Sequence, residues 1–135
     1  MSIHVFHIDQ PDRMMPMIAR DARLVVWPGR GSQSANMNYV DMQPGERNVP
    51  HAHEQSEDTI FVLDGKGTIE DLTHEVELQF KAGDVVHVPV GIWHAVKADR
   101  DSHIESCGGP APADWNMMMR IGAVDDELFE RLQAT

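Results

Sequence analysis

Two histidines separated by one residue, His51 and His53, are the first side chains whose types and spacing suggest chemistry. In a β-strand, residues i and i+2 project from the same face, so both imidazoles can converge on one ion. Metal–nitrogen bonds of roughly 2.0–2.1 Å are within reach of such a pair. Two histidines on a solvent-facing strand have the same spacing, however, so the pair needs further ligands before it indicates a metal site.

Carboxylates and a third histidine follow this pair. Glu57 and Asp58 begin the next apolar run, and His94 comes after a turn with the sequence Pro-Val-Gly. Three imidazoles and one carboxylate form a mixed nitrogen and oxygen set, which suits Fe(II), Mn(II), Ni(II), Co(II) or Zn(II). Calcium and magnesium prefer oxygen ligands, and a structural zinc site of the finger type would need nearby cysteines. We therefore expect a divalent transition metal as the cofactor.

Short apolar runs separated by turn residues must position these ligands. The runs 24–27, 59–63 and 85–88 have the composition of β-strands. Glycine and proline pairs, such as those at 44–45 and 89–91, lie between the apolar runs. Regular spacing of turn residues between short strands predicts an all-β fold.

One helix is predicted near the end of the sequence, at about residues 125–133. Asp125 or Asp126 can cap the first N–H groups of this helix. Apolar side chains recur within it at helical spacing and form one stripe. We expect the helix to pack on the outside of the β-structure.

The spacing of glycines and ligands resembles the two motifs of the cupin family. The first motif is matched over residues 45–65 and the second over residues 83–94, as Gly45-x5-His51-x-His53-x4-Asp58-x6-Gly65 and Gly83-x5-Pro89-x-Gly91-x2-His94. The resemblance implies a jelly-roll β-barrel, also called a double-stranded β-helix. It also implies a metal inside the barrel, bound by His51, His53, His94 and an acidic residue.

The identity of the acidic ligand is the main departure from the family pattern, because cupins usually have Glu where this chain has Asp58. Alternate residues of a strand share a face, so Asp58 would point the same way as Ile60 and Val62. Glu57, the rival ligand, would then point away. This favours Asp58 as the fourth ligand. A carboxylate that is not a ligand could carry a proton, which makes both Asp58 and Glu57 candidate catalytic residues.

Such a ligand set leaves positions open on an octahedral ion for substrate, water or dioxygen. We therefore expect a metal-dependent enzyme that acts on a small organic substrate inside the barrel. The resemblance favours dioxygenase-like chemistry, with isomerase and lyase reactions as alternatives. Few basic residues surround the motifs, so we expect a weakly charged or bidentate oxygen substrate. The alternative function is a non-catalytic, metal-bearing module that binds or senses a small molecule.

Composition limits the partners and the setting of the protein. A length of 135 residues fits one domain, residues 1–135, and a net charge of −11 disfavours nucleic acid and anionic membranes as partners. No apolar run is long enough to span a membrane. A single cysteine, Cys107, suits the reducing cytoplasm. The family resemblance and the apolar strand faces together predict a homodimer.

Overall fold

The computed structural model describes residues 2–120, 122 and 124–133. Within these residues, nine β-strands precede two α-helices. The strands are β1 (Arg13–Met14), β2 (Asp21–Val26), β3 (Met37–Met42), β4 (Glu57–Asp64), β5 (Lys66–Asp71), β6 (Val76–Lys81), β7 (Val85–Val88), β8 (His94–Ala98) and β9 (Ile104–Ala111). The helices are α1 (Trp115–Arg120) and α2 (Asp126–Gln133).

The strands form two antiparallel sheets. The larger sheet has the order β1-β2-β3-β9-β4-β7, and the smaller has the order β6-β5-β8. Side chains from both sheets meet in one apolar core, to which β3, β4, β5, β6, β7, β8 and β9 each contribute. This arrangement is a double-stranded β-helix, so the predicted all-β jelly-roll barrel is confirmed.

Strand β4 shows how alternation separates the inside of the barrel from its surface. Asp58 and Val62 are buried, whereas Glu57, Thr59 and Phe61, which alternate with them, are exposed. In the larger sheet, β4 lies between β9 and β7. Every second residue of β4 therefore points into the barrel, where the apolar core and the ligands lie.

The turn that ends the first motif depends on its glycine. Gly65 has a φ of +88°, in the left-handed region that favours glycine, and a Cβ atom there would collide with the carbonyl oxygen of His103. Because Gly65 leads directly from β4 into β5, this turn carries the chain from the larger sheet to the smaller one.

The helices pack against a second apolar cluster at one end of the barrel. Leu24, Trp27 and Met118 are among its fully or almost fully buried members. The predicted helix at about residues 125–133 is found as α2, and the Asp125 carboxylate caps it by accepting a hydrogen bond from the Leu128 N–H (2.8 Å). The sequence analysis did not predict α1, because six residues are too few for a periodic stripe. Among the described residues, no helix is long and apolar enough to cross a membrane.

Candidate metal centre

A pair of backbone hydrogen bonds joins the two sequence motifs at the site. The His51 N–H donates to the His94 carbonyl oxygen (3.1 Å), and the His94 N–H donates to the His51 carbonyl oxygen (2.9 Å). This isolated bridge places the two imidazole rings 4.5 Å apart, centroid to centroid. The main chain therefore joins the two motifs at the site.

Four predicted ligands form one cluster in the barrel. One nitrogen or oxygen atom from each of His51, His53, Asp58 and His94 lies within 4.8 Å of the corresponding atom of every other. The Asp58 Oδ2 atom is 3.3 Å from His53 Nε2 and 3.9 Å from His94 Nε2. Ligand atoms on opposite sides of an ion with 2.0–2.1 Å bonds are about 4.2 Å apart, so this spacing is close to that of a metal site.

Two of the histidines are oriented by carbonyl groups two residues earlier in the chain. The Nδ1–H group of His51 donates to the Val49 carbonyl oxygen (2.7 Å), and that of His94 donates to the Ile92 carbonyl oxygen (2.8 Å). A carbonyl oxygen can only accept, so the proton resides on Nδ1 and the lone pair on Nε2. Both rings therefore hold the tautomer that binds a metal through Nε2.

The third histidine is oriented by a side chain from the C-terminal part of the chain. His53 Nδ1 lies 2.9 Å from the Oδ2 atom of Asp114, 61 residues later in the sequence, and both side chains are almost fully buried. Asp114 also caps α1, because its Oδ1 atom accepts a hydrogen bond from the Met117 N–H. Asp114 was not among the site residues predicted from the sequence. A carboxylate just before a helix is a local signal for a cap, but only the fold shows that it reaches His53.

The inward-facing atoms of the cluster have no hydrogen-bond partners. His53 Nε2, His94 Nε2 and Asp58 Oδ1 are all buried and unpaired. An unpaired buried polar atom costs about 1–3 kcal/mol, so three of them around one point require a physical reason. A metal ion at this point would bind the two nitrogens together with His51 and Asp58. The residues present therefore fit a divalent transition metal.

Electrostatics also favour a positive charge at this point. Burial lowers the pKa of His51 to about 4 and lowers the pKa of His94 as well, which keeps both rings neutral. Burial acts in the same direction on His53, but its hydrogen bond with Asp114 and the negative charges of Asp58 and Asp114 outweigh that cost and raise its pKa to about 9. The carboxylates of Asp58 and Asp114 therefore favour a positive charge at His53. Either a second proton on the ring or a metal ion bound to it can supply that charge.

The sequence profile of the cupin domain matches residues 38–105, which include all four clustered residues. This chain belongs to the cupin family. Germin-like protein 5-1 of Oryza sativa subsp. japonica is 29% identical over 107 residues, which cover 75% of this chain and 48% of that protein. The oxalate oxidase GF-3.8 of Triticum aestivum is 28% identical over 80 residues, covering 55% of this chain and 36% of that protein. This cupin thus spans about half, or less, of the length of these curated relatives.

Solved structures show the same fold at low sequence identity. The polyketide cyclase RemF from Streptomyces resistomycificus has a TM-score of 0.68 at 17% identity, covering 82% of this chain and 80% of that one. A predicted oxalate decarboxylase from Thermotoga maritima has a TM-score of 0.60 at 19% identity, covering 68% of this chain and 79% of that one. At these identities, the similarity establishes the fold of this cupin and not its reaction.

The structure brings Asp58 to the cluster and leaves Glu57 outside it. The Glu57 side chain is 57% exposed, and its Oε1 atom lies 3.6 Å from Nε2 of the exposed His87. The rival ligand considered in the sequence analysis therefore points away from the metal centre, as the strand alternation predicts. Glu57 is also too far outside the barrel to act there as a proton carrier, which leaves Asp58 as the candidate.

A cavity of about 60 Å³ adjoins the four residues. Its walls are mainly aliphatic and thioether groups, which include Met15, Ile18, Met42, Ile60, Met117 and Met118. The polar groups beside them are Asn38, Asn48 and Ser106, and no lysine or arginine lines the cavity in the part of the chain that the structure describes. The site therefore combines a concentrated set of metal ligands with largely apolar walls.

Proposed function

We propose that this cupin is an enzyme that uses a divalent transition metal to convert a small organic substrate inside its barrel. His51, His53, Asp58 and His94 would hold the metal. The observation that carries the proposal is the set of inward-facing nitrogens, which are buried, unpaired and beside one buried carboxylate. A bound metal would supply Lewis acidity, and iron or manganese would also supply redox chemistry with dioxygen.

Asp58 has the geometry to move a proton at this site. Its Oδ2 atom faces the histidines, while its Oδ1 atom is buried without a partner. Among the described residues that line the cavity, no other carboxylate is present, and burial raises the pKa of the Cys107 thiol. Asp58 Oδ1 is therefore the group that would accept a proton from a bound hydroxyl, enol or activated C–H group.

The cavity walls support a weakly charged substrate that carries oxygen atoms. Aliphatic and thioether walls without a cation would leave the second carboxylate of a dianion such as oxalate unpaired, at a high desolvation cost. Asn38 contributes a buried carbonyl oxygen without a partner, which can accept a hydrogen bond from a substrate hydroxyl. We therefore infer that the substrate class differs from that named for the oxalate oxidase relatives.

Metal analysis followed by a substrate panel tests this function. We expect about one transition-metal ion per purified chain, and turnover of uncharged hydroxyketones or enolisable diketones but not of oxalate. Consumption of one dioxygen per substrate, with both atoms found in the products, would support a dioxygenase. Turnover without oxygen uptake would instead identify an isomerase or a lyase. Absence of metal from protein purified and reloaded with Fe(II), Mn(II), Co(II), Ni(II) or Zn(II) would refute the proposal.

A binding or sensing module is the second candidate, and the size of the cavity favours it. A cavity of about 60 Å³ is much smaller than the roughly 150 Å³ that accommodates benzene in an engineered protein core. A site of this size suits the retention of a very small ligand. Stable binding of such a ligand by the metal-loaded protein, without turnover, would favour this function over an enzyme.

We also propose that the protein forms a homodimer through the outer face of the larger sheet. Phe61 and Val85 are paired across β4 and β7 on this face and are 41% and 57% exposed, with Leu63 exposed beside them. An apolar patch that crosses two strands is typical of an interface with a second copy. Sedimentation should show a dimer that Phe61→Glu converts to a monomer. A monomeric wild-type protein at high concentration would exclude this interface.

A further inference from the structure

We propose that Asp114 couples the metal centre to a helical cap, so that metal binding and closure of the cap stabilise each other. The cap consists of α1 and α2. This inference rests on the metal binding proposed above and adds a means of controlling access to the same site. It requires one side chain to serve both the metal centre and the cap, and it requires the cap to cover the cavity.

Both carboxylate oxygens of Asp114 accept hydrogen bonds. Its Oδ2 atom accepts a hydrogen bond from His53 Nδ1 (2.9 Å), and its Oδ1 atom accepts one from the Met117 N–H (3.0 Å). Its main-chain carbonyl oxygen accepts another from the Met118 N–H (3.0 Å). Asp114 is only 6% exposed, so water does not compete for these bonds. The first turn of α1 and the orientation of His53 therefore depend on the same carboxylate.

The cap also covers the cavity. The side chains of Met117 and Met118, which are buried, line the cavity beside the ligands. Trp115 of α1 contacts the ring of Phe129 from α2, at 5.3 Å between centroids, which joins the two helices of the cap. Displacement of α1 would open the cavity and, in the same movement, separate Asp114 from His53.

The start of the cap is fixed to the barrel independently of Asp114. The Ser56 hydroxyl donates to the Pro112 carbonyl oxygen (2.6 Å), and the Ala113 N–H donates to the Ser34 carbonyl oxygen (2.9 Å). These bonds hold the chain up to residue 113. Opening of the cap would therefore begin at residue 114, where the link to the metal centre lies.

Binding of a metal at His53 Nε2 would strengthen the link at the other ring nitrogen. Metal coordination withdraws electron density from an imidazole, which makes its Nδ1–H group a better donor to a carboxylate. A stronger bond to Asp114 favours the closed cap. By thermodynamic reciprocity, the factor by which metal binding favours the closed cap is the factor by which closure of the cap strengthens metal binding.

The experiment compares Asp114→Asn with a matched control, Asp125→Asn. An asparagine offers one acceptor and one donor, so it cannot accept hydrogen bonds from both His53 and the Met117 N–H. Asp125 caps α2 in the same way as Asp114 caps α1, and its carboxylate bonds the Leu128 N–H. We expect Asp114→Asn to weaken Zn²⁺ binding by about 10–100-fold, whereas Asp125→Asn should keep the wild-type affinity.

Hydrogen exchange measures the coupling without any enzyme assay. Zn²⁺ is used because it has no redox chemistry and leaves NMR signals sharp. In the wild type and in Asp125→Asn, Zn²⁺ should slow exchange of the Met117 and Met118 amides. In Asp114→Asn this protection should disappear, and the ¹⁵N shift of His53 Nδ1 should change because its hydrogen bond to a carboxylate is lost, which a purely structural role for Asp114 would not cause.

A second pair of variants loosens the cap from its surface, in case Asp114→Asn does not fold. Asn116 is an exposed residue of α1. Asn116→Gly should weaken Zn²⁺ binding by up to about fivefold because glycine disfavours the helix, whereas Asn116→Ala should not weaken it.

Two results would overturn the coupling while leaving the proposed enzyme intact. These are equal amide exchange with and without Zn²⁺ in the wild type, or wild-type Zn²⁺ affinity in folded Asp114→Asn. A wild-type protein that binds no divalent metal would overturn both proposals. Metal-dependent protection of the cap in a protein without turnover would support the coupling and count against the enzyme.

Discussion

The three histidines of the candidate metal centre are positioned in two different ways. His51 and His94 each bond a carbonyl group two residues earlier in the chain, whereas His53 bonds a carboxylate 61 residues away. The first two rings therefore keep their orientation wherever the local backbone conformation forms. The third keeps it only where the C-terminal segment is docked. Three ligands of the same type can thus differ in what holds them. Two are held by their own backbone, and the third is held only while the C-terminal segment is docked.

The charges of the three imidazole rings differ in the same way as their hydrogen-bond partners. Neutral carbonyl partners leave burial to dominate, which lowers the pKa of His51 to about 4 and also lowers that of His94. His53 lies between Asp58 and Asp114, and its pKa is raised to about 9 against the effect of burial. The rings that bond nearby carbonyl groups, His51 and His94, are therefore neutral. The ring that bonds the distant Asp114 carboxylate, His53, gains a proton, and a metal ion can take the place of that proton.

Removal of a locally positioned ligand should have the largest effect. His51→Ala or His94→Ala is expected to lower metal affinity by more than about 100-fold, because it deletes a ligand and not merely its orienting partner. Elemental analysis of the purified variants measures the loss. His87→Ala is the control, since His87 is exposed on the outer face. Wild-type metal content in either ligand variant would contradict the assignment.

Neighbouring carboxylates on β4 provide the next comparison. Asp58→Ala should weaken metal binding on the order of tenfold, which is less than the histidine changes, because three nitrogen ligands remain. Glu57→Ala should leave the affinity unchanged, because its side chain points to solvent. Isothermal titration with Zn²⁺ would measure both. Equal affinities for the two variants would remove Asp58 from the set of ligands.

Ser56→Ala tests whether the segment that leads into the cap must be fixed to the barrel for Asp114 to orient His53. Ser56 is buried and donates to the Pro112 carbonyl oxygen, so the change leaves that acceptor unpaired. We expect a loss of about 1–3 kcal/mol in the free energy of unfolding, as measured in urea. Metal affinity should fall by less than tenfold, which is smaller than the effect on the directly bonded ligands. Unchanged stability would mean that this bond does not secure the cap.

A surface pair of the same chemistry should give the smallest effect. His103 Nε2 lies 2.9 Å from Asp41 Oδ2, and this hydrogen bond raises the pKa of His103. Because the folded pKa is raised, its stabilising contribution is complete below the unfolded value of about 6.5 and is lost as the pH rises through the folded pKa. Asp41→Asn should return the pKa of His103 toward about 6.5 in an NMR titration. The change in stability should stay below about 1 kcal/mol, because the pair is partly exposed.

Much of the fold and of the candidate site could be predicted from local sequence. The His-x-His spacing, the glycine at residue 65 and the alternation that separates Asp58 from Glu57 all act over a few residues. Each corresponds to a backbone preference that the sequence displays directly, namely the two-residue period of a strand or a positive φ. The side of β4 that carries the carboxylate follows from them, whereas the barrel follows from the resemblance of the two motifs to the cupin family.

The parts that could not be predicted depend on contacts between distant segments. Asp114 has the local pattern of a helix cap, and nothing within α1 indicates that its second oxygen reaches His53. The helix α1 is too short for a periodic stripe, so its methionines do not reveal that they line the cavity. Information of this kind is present only in the packing of the complete chain.

The backbone bridge between His51 and His94 has a practical consequence for the study of the metal. Because these two hydrogen bonds are made by main-chain atoms, removal of an ion with a chelator would not break them. The barrel would stay assembled with the His51 and His94 nitrogens in place. Different ions could therefore be exchanged in a single preparation, without refolding, so that the contribution of each element to reactivity is compared on one unchanged scaffold.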